Sequence, residues 1–145
     1  MIYNEANRDL FTVPDDYFLA HCISADFALG TGIAKKFDEK YNIRYKLFER
    51  YSMPGNVQNK YIGRALLIGK VFNLVTKAHY FQNPTYDTLY ESLTDMKDQC
   101  VALGIQNLAM PTIGCGKEKL DWNQVREDVL TVFDDTDITI LVCKN

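Results

Sequence analysis

Two glycine-bearing loops and one lysine carry the residue types from which this chain could build a site. Pro111-Thr112-Ile113-Gly114-Cys115-Gly116 follows the short apolar run Asn107–Met110 and leads to Trp122–Phe133. In that last segment Val125, Val129, Leu130 and Phe133 share one side of a helix. A strand that opens into a glycine loop ahead of a helix can hold an anion. Glycine lets the backbone approach a ligand and turns its N–H groups toward phosphate oxygens. Neither G-x-G-x-x-G nor the phosphate loop ending in Gly-Lys-Ser/Thr fits the segment. Alone, it reads first as a tight turn and second as an anion site.

A second loop shifts that balance. His21-Cys22-Ile23-Ser24 ends an apolar run that starts at Phe18, and Gly30-Thr31-Gly32 then precedes a helical pattern marked by Ile33, Phe37 and Tyr41. Two strand–glycine loop–helix units can face each other across the carboxyl ends of adjacent strands. Open α/β sheets bind ligands in that crevice, where helix N-termini supply donors for anions. The pair points to a phosphate-bearing small molecule. Lys77 closes a further apolar run at the same edge; by itself it reads as a surface lysine at a strand end.

The elements that must position these residues follow from periodicity. Strands are expected at Ile2–Asn7, Phe18–Ile23, Ala65–Gly69, Val71–Thr76, Asn107–Met110 and Ile138–Val142, with Gly69-Lys70 turning a hairpin that makes the sheet mixed. Helices are expected at Gly32–Tyr41, Ile43–Tyr51, Tyr86–Leu103 and Asn123–Phe133. The third places Leu89, Leu93, Met96, Cys100 and Leu103 at the spacing of one buried face, opens at Pro84-Thr85 and stops at Gly104. Apolar strands alternating with helices imply a three-layer α/β/α sandwich covered on both faces.

Composition narrows the function classes. The chain has 145 residues, enough for one domain over residues 1–145 with a substantial core. No segment is long and apolar enough to span a bilayer, and the N-terminus lacks secretory features, so a cytoplasmic location and no membrane partner are expected. The four cysteines, Cys22, Cys100, Cys115 and Cys143, form no CxxC pair and no zinc spacing, so neither a metal site nor a disulfide framework is expected. Cys115, between glycines, has a nucleophilic thiol as its minority reading. The net charge of −3 argues against nonspecific nucleic-acid binding. A local basic stretch, Arg44, Lys46, Arg50, Lys60 and Arg64, interleaves with aromatics; it reads as a solvated helix face, with a polyanion contact as the minority reading.

These residues resemble the macrodomain family, and within it the terminal ADP-ribose protein glycohydrolases. The carriers, in order along nearly the whole chain, are Asp9-Leu10-Phe11, His21-Cys22-Ile23-Ser24, Gly30-Thr31-Gly32-Ile33-Ala34, Leu74-Val75-Thr76-Lys77, Pro84-Thr85-Tyr86, and Met110 through Gly116 with Leu120-Asp121-Trp122. The resemblance implies a macrodomain whose central sheet is mixed but largely parallel. It also implies an ADP-ribose pocket. Asp9 would accept from the adenine amino group with Leu10 beside it. Ser24 and the segment Gly30, Thr31, Gly32 and Ile33 would wrap the diphosphate and distal ribose. Pro111, Thr112, Ile113, Gly114, Cys115, Gly116 and Lys117 would close from the other side, and Asn145 would lie near the adenosine.

The resemblance also assigns chemistry. Lys77 matches the family's nucleophile, which attacks the anomeric carbon of the distal ribose, releases the acidic side chain of the modified protein and leaves a lysyl–sugar adduct. That step needs a neutral amine, whereas a free lysine titrates at about 10.4. Glu118 stands where the family has the aspartate that resolves the adduct. Its extra methylene displaces the carboxylate by about an ångström, a shift that can cost on the order of 10²-fold. The implied activity is removal of mono-ADP-ribose from Glu and Asp side chains, with deacetylation of O-acetyl-ADP-ribose beside it, by a monomer needing no cofactor or metal. The alternatives are an ADP-ribose 1″-phosphate phosphatase, an enzyme that clears ADP-ribose from DNA bases, and a non-catalytic reader.

Overall fold

The computed structural model describes residues 1–51, 60–116 and 119–144. The strands are β1 (Ile2–Asn7), β2 (Phe18–Ser24), β3 (Ala65–Ile68), β4 (Val71–Lys77), β5 (Asn107–Met110) and β6 (Thr139–Lys144). They form one sheet in the order β1-β6-β5-β2-β4-β3. Every neighbouring pair is parallel except β3–β4, the hairpin turned at Gly69-Lys70. Because β1, β6, β5, β2 and β4 are mutually parallel, their carboxyl ends share one edge. Asn7, Lys144, Met110, Ser24 and Lys77 therefore all emerge there.

The helices are α1 (Gly32–Tyr41), α2 (Ile43–Arg50), α3 (Tyr86–Leu103) and α4 (Trp122–Phe133). The period-two alternation of the strands sorts the core into two layers. Ala20, Phe72, Leu74, Ile140 and Val142 pack under α3 and α4, against Leu89, Leu93, Met96, Val125, Val129 and Phe133. The intervening residues Leu19, Ile23, Val71, Val75 and Cys143 pack under α1 and α2, against Phe37, Ile43 and Leu47. This is the expected three-layer α/β/α sandwich.

Local sequence sets the helix ends. Thr85 caps α3 by accepting from the Thr88 amide at 3.1 Å, and the Thr88 hydroxyl accepts in return from the Thr85 amide at 3.2 Å. Asp121 caps α4 through the Asn123 amide at 3.0 Å. Among the described residues, no helix is long and apolar enough to cross a membrane.

Candidate functional site

Ser24 ends β2 and Lys77 ends β4, and the two are partners in the parallel register after a shift between Ile23 and Ser24. The pairing continues beyond the strands: the Ala25 amide donates to the Lys77 carbonyl at 2.8 Å, and the Asp26 amide to the Ala78 carbonyl at 3.2 Å. The chain then turns through Ala28, Leu29, Gly30 and Thr31 into α1. A cavity of about 280 Å³ opens between these segments, lined by Ser24, Ala28, Gly30, Thr31, Lys77 and Tyr80 among others. Lys77 thus borders the cavity that the first glycine loop encloses. Its volume lies at the low end of the roughly 300–1,000 Å³ usual for small-molecule pockets.

The other expected residues surround that edge without lining this cavity. Asp9 follows β1 and caps the short 3-10 helix Leu10–Thr12, one carboxylate oxygen accepting from the Phe11 amide at 2.9 Å. Leu10 is buried in the α1–α2 layer. Gly32 and Ile33 form the first turn of α1. Pro111 through Gly116 leave β5, the strand beside β2, so the second glycine loop starts one strand away from the first.

That second loop is folded on itself. The Leu120 amide returns to the Gly114 carbonyl at 2.9 Å, and Ile113 is buried in the α3–α4 layer. Gly114 has φ +74°, and a Cβ there would meet Leu120 Cδ1 at 3.0 Å. Glycine is therefore required on two counts. The half-buried Cys115 thiol donates to the Ile113 carbonyl at 3.2 Å. Lys117, Glu118 and Asn145 lie outside the described residues.

Further side chains near this edge divide between the core and the cavity mouth. His21 is fully buried, stacked on Phe37 at 4.0 Å between centroids, and belongs to the core. Tyr80 is exposed at the cavity mouth, and His79 stacks on Phe81 beside it. The Tyr86 hydroxyl accepts from the Asp121 amide, linking the starts of α3 and α4. Of the basic stretch, Arg44 reaches the first loop by donating to the Phe27 carbonyl at 3.0 Å. Lys46 and Arg50 instead border a larger cavity of about 740 Å³, whose lining runs from Leu10 and Phe11 to Gly69, Lys70 and Val71. Leu10 is the expected ligand residue on that cavity's wall; both glycine loops and Lys77 are elsewhere, so size alone does not make it the site.

Asp26 escaped the sequence reading. Its Oδ1 accepts from the Ser24 hydroxyl at 2.5 Å and the Ala28 amide at 3.1 Å, and its Oδ2 accepts from the Tyr80 amide at 2.9 Å. An aspartate that accepts from the amide two residues on signals only a local turn; the Tyr80 contact is 54 positions away and invisible to local pattern.

No protein-family model matches the chain. It is 39% identical over 135 residues to the human protein ADP-ribose glycohydrolase OARD1, covering 92% of this chain and 86% of that one. Its fold superposes on the macrodomain of Thermus aquaticus DarG with a TM-score of 0.81 at 20% identity, covering 99% of each chain. It also matches Thermosipho africanus DarTG, solved in complex with ADP-ribose, with a TM-score of 0.70 at 16% identity, covering 90% of this chain and 39% of that one. On the strength of the OARD1 match and of the superposed macrodomain fold, this chain belongs to the macrodomain family of which OARD1 is a member.

Proposed function

We propose that this protein is an ADP-ribosyl glycohydrolase that removes mono-ADP-ribose from glutamate and aspartate side chains. The observation that carries the reading is the position of Lys77 on the wall of the cavity enclosed by Ser24, Gly30 and Thr31. A diphosphate held by the loop's backbone donors puts the distal ribose against the strand end that bears the amine. Human OARD1, by its name, is an ADP-ribose glycohydrolase, and the match to it spans the residues of both loops and Lys77.

In the proposed reaction the neutral Lys77 amine attacks the anomeric carbon of the ribose. The bond from that carbon to the ester oxygen breaks, and the modified side chain leaves as a carboxylate. Glu118 then directs water onto the lysyl–sugar adduct, which releases ADP-ribose and restores the amine. The acetyl ester of O-acetyl-ADP-ribose is a second substrate for the same pocket, and protein-linked ADP-ribose is the partner that the cavity mouth admits.

Removal of ADP-ribose from DNA is the second reading. The DNA ADP-ribosyl glycohydrolase of Thermus aquaticus is 24% identical over 119 residues, and this chain spans 32% of its length. The cation favouring that reading is Arg44, which touches the first loop.

The test is release of ADP-ribose from a glutamate-linked mono-ADP-ribosylated protein by wild type, Lys77→Ala and Glu118→Ala. The reading expects release by wild type, none by Lys77→Ala, and a trapped adduct in Glu118→Ala. Wild-type binding of ADP-ribose without release of any linkage would leave a reader. Release from modified DNA alone would select the second reading, and phosphate release from ADP-ribose 1″-phosphate alone would select a phosphatase.

A further inference from the structure

We propose that Asp26 is a positioning residue of the reaction, a carboxylate clamp that sets the distance between the diphosphate loop and the nucleophile. The inference rests on Lys77 being that nucleophile.

The geometry has two halves. Oδ1 takes the Ser24 hydroxyl at 2.5 Å and the Ala28 amide at 3.1 Å, which ties the end of β2 to the start of the first glycine loop. Oδ2 takes the Tyr80 amide at 2.9 Å, on the segment that follows Lys77 out of β4. The Asp26 main chain meets the same segment through the Ala78 carbonyl at 3.2 Å. One side chain therefore spans the cavity's two walls. Lys77 stands between two fixed points: the Ala25 amide on its own carbonyl, and the tethered Tyr80 three residues on. A short aspartate bonded on both oxygens has little freedom, so the spacing it sets is stiff.

The clamp also fixes a polarity. With its proton committed to Asp26, the Ser24 hydroxyl presents lone pairs to the cavity. It serves there as an acceptor, suited to a ribose hydroxyl or to an N–H of the Lys77 amine, and not as a donor to phosphate. Donation to the diphosphate is left to the backbone N–H groups of the loop. The cavity is thereby divided into an amide-lined anion end and an acceptor end beside the lysine.

Asp26→Asn and Asp26→Ala separate this role from a structural one. In Asp26→Asn the remaining side-chain oxygen can keep the Ser24 and Ala28 donors, while its NH2 opposes the Tyr80 N–H and frees that tether. The expected result is an ADP-ribose Kd within about threefold of wild type, kcat lower by about tenfold or more, and slower Lys77 adduct formation in single-turnover trapping. Asp26→Ala should lose more kcat and some affinity as well. If the alanine variant does not fold, the asparagine variant alone decides. An unchanged kcat in Asp26→Asn, or kcat and ADP-ribose affinity falling in the same proportion, overturns the clamp. Lys77→Ala run beside them keeps the two readings apart: activity retained there overturns the nucleophile itself, whereas an inactive Lys77→Ala with a fully active Asp26→Asn overturns the clamp alone.

Discussion

His21 and Asn73 face each other across the β2–β4 pair, Nε2 to Oδ1 at 2.6 Å, and both side chains are fully buried. Asn73 spends its amide hydrogens on the Leu66 and Val71 carbonyls, at 3.0 and 3.2 Å, so its oxygen must accept. The imidazole proton is thereby assigned to Nε2, and the buried Nδ1 has no hydrogen-bond partner among the described residues. Burial pushes the His21 pKa down to about 4 from its ordinary 6.5.

A pH dependence follows. The folded state holds His21 neutral, whereas the unfolded chain takes up a proton near pH 6.5, so between about 6.5 and 4 the unfolded state binds more protons. Stability is undiminished above that window and falls as pH drops through it, by up to about 1.4 kcal/mol per pH unit from this group. Urea unfolding at pH 7.5, 6 and 5 measures the slope. His21→Gln, which keeps an N–H for Asn73 but cannot titrate, should flatten it. An equal slope in the variant would assign the effect to other groups.

Gly114→Ala should damage the second loop. Its φ of +74° costs an L-residue about 1–2 kcal/mol, and the added methyl would press on Leu120 at 3.0 Å. Gly116 is the control, since a Cβ there meets nothing within 4 Å and φ lies outside the left-handed range. Thermal melts should separate Gly114→Ala from Gly116→Ala by several degrees in Tm. Indistinguishable melts would mean that the loop relaxes around residue 114.

Thr88 links the site to its supporting helix. Besides completing the α3 cap, its hydroxyl donates at 2.7 Å to the carbonyl of Thr76, the residue before Lys77. Thr88→Val keeps the shape and removes both bonds, at a cost of about 1–2 kcal/mol. Turnover at saturating substrate should fall as well, because the strand end that carries the amine loses an anchor. A stability loss with unchanged kcat would show that β4 holds Lys77 unaided.

Much of this architecture was legible from periodicity and punctuation. The core face of α3, Leu89 through Cys100, follows from a 3.6-residue spacing, and Gly104 stops the helix as expected; Leu103, expected on that face, is instead exposed, because the last turn runs past the edge of the sheet's cover. The β3–β4 hairpin follows from Gly69-Lys70 between two apolar runs. Strand ends were harder: β4 includes Lys77, and β6 runs from Thr139 to Lys144 where Ile138–Val142 was expected. Polar residues at a ligand-bearing edge break the apolar pattern while still pairing. The placement of β6 between β1 and β5 rests on parallel pairings more than 30 residues apart in sequence, which no local pattern encodes. For the site, the glycine loops were legible because glycine marks backbone demands. The Asp26 clamp and the His21–Asn73 pair were not, because a carboxylate or an imidazole acquires its role from what lies opposite it.

Glu5 is another such residue, and the last prediction concerns it. It sits on β1 and takes the Arg126 guanidinium through both oxygens at 2.7 and 3.2 Å, the Trp122 indole at 3.2 Å and the Tyr3 hydroxyl at 2.5 Å, with Lys144 at 3.1 Å. Arg126 above all holds its carboxyl well below the usual range. Trp122 and Arg126 belong to α4, whose start receives the second glycine loop, so this one carboxylate fixes the far side of the candidate site to the sheet. Glu5→Gln removes the charge and should destabilise the fold by about 1–2 kcal/mol at neutral pH. A carboxyl held low in the folded state stabilises above the unfolded value of 4.5, and that contribution is lost as pH falls below it. The difference between wild type and Glu5→Gln in urea unfolding should therefore be full at pH 7 and shrink toward pH 3. A difference independent of pH would mean that packing of Trp122, and not the charge of Glu5, holds α4 in place.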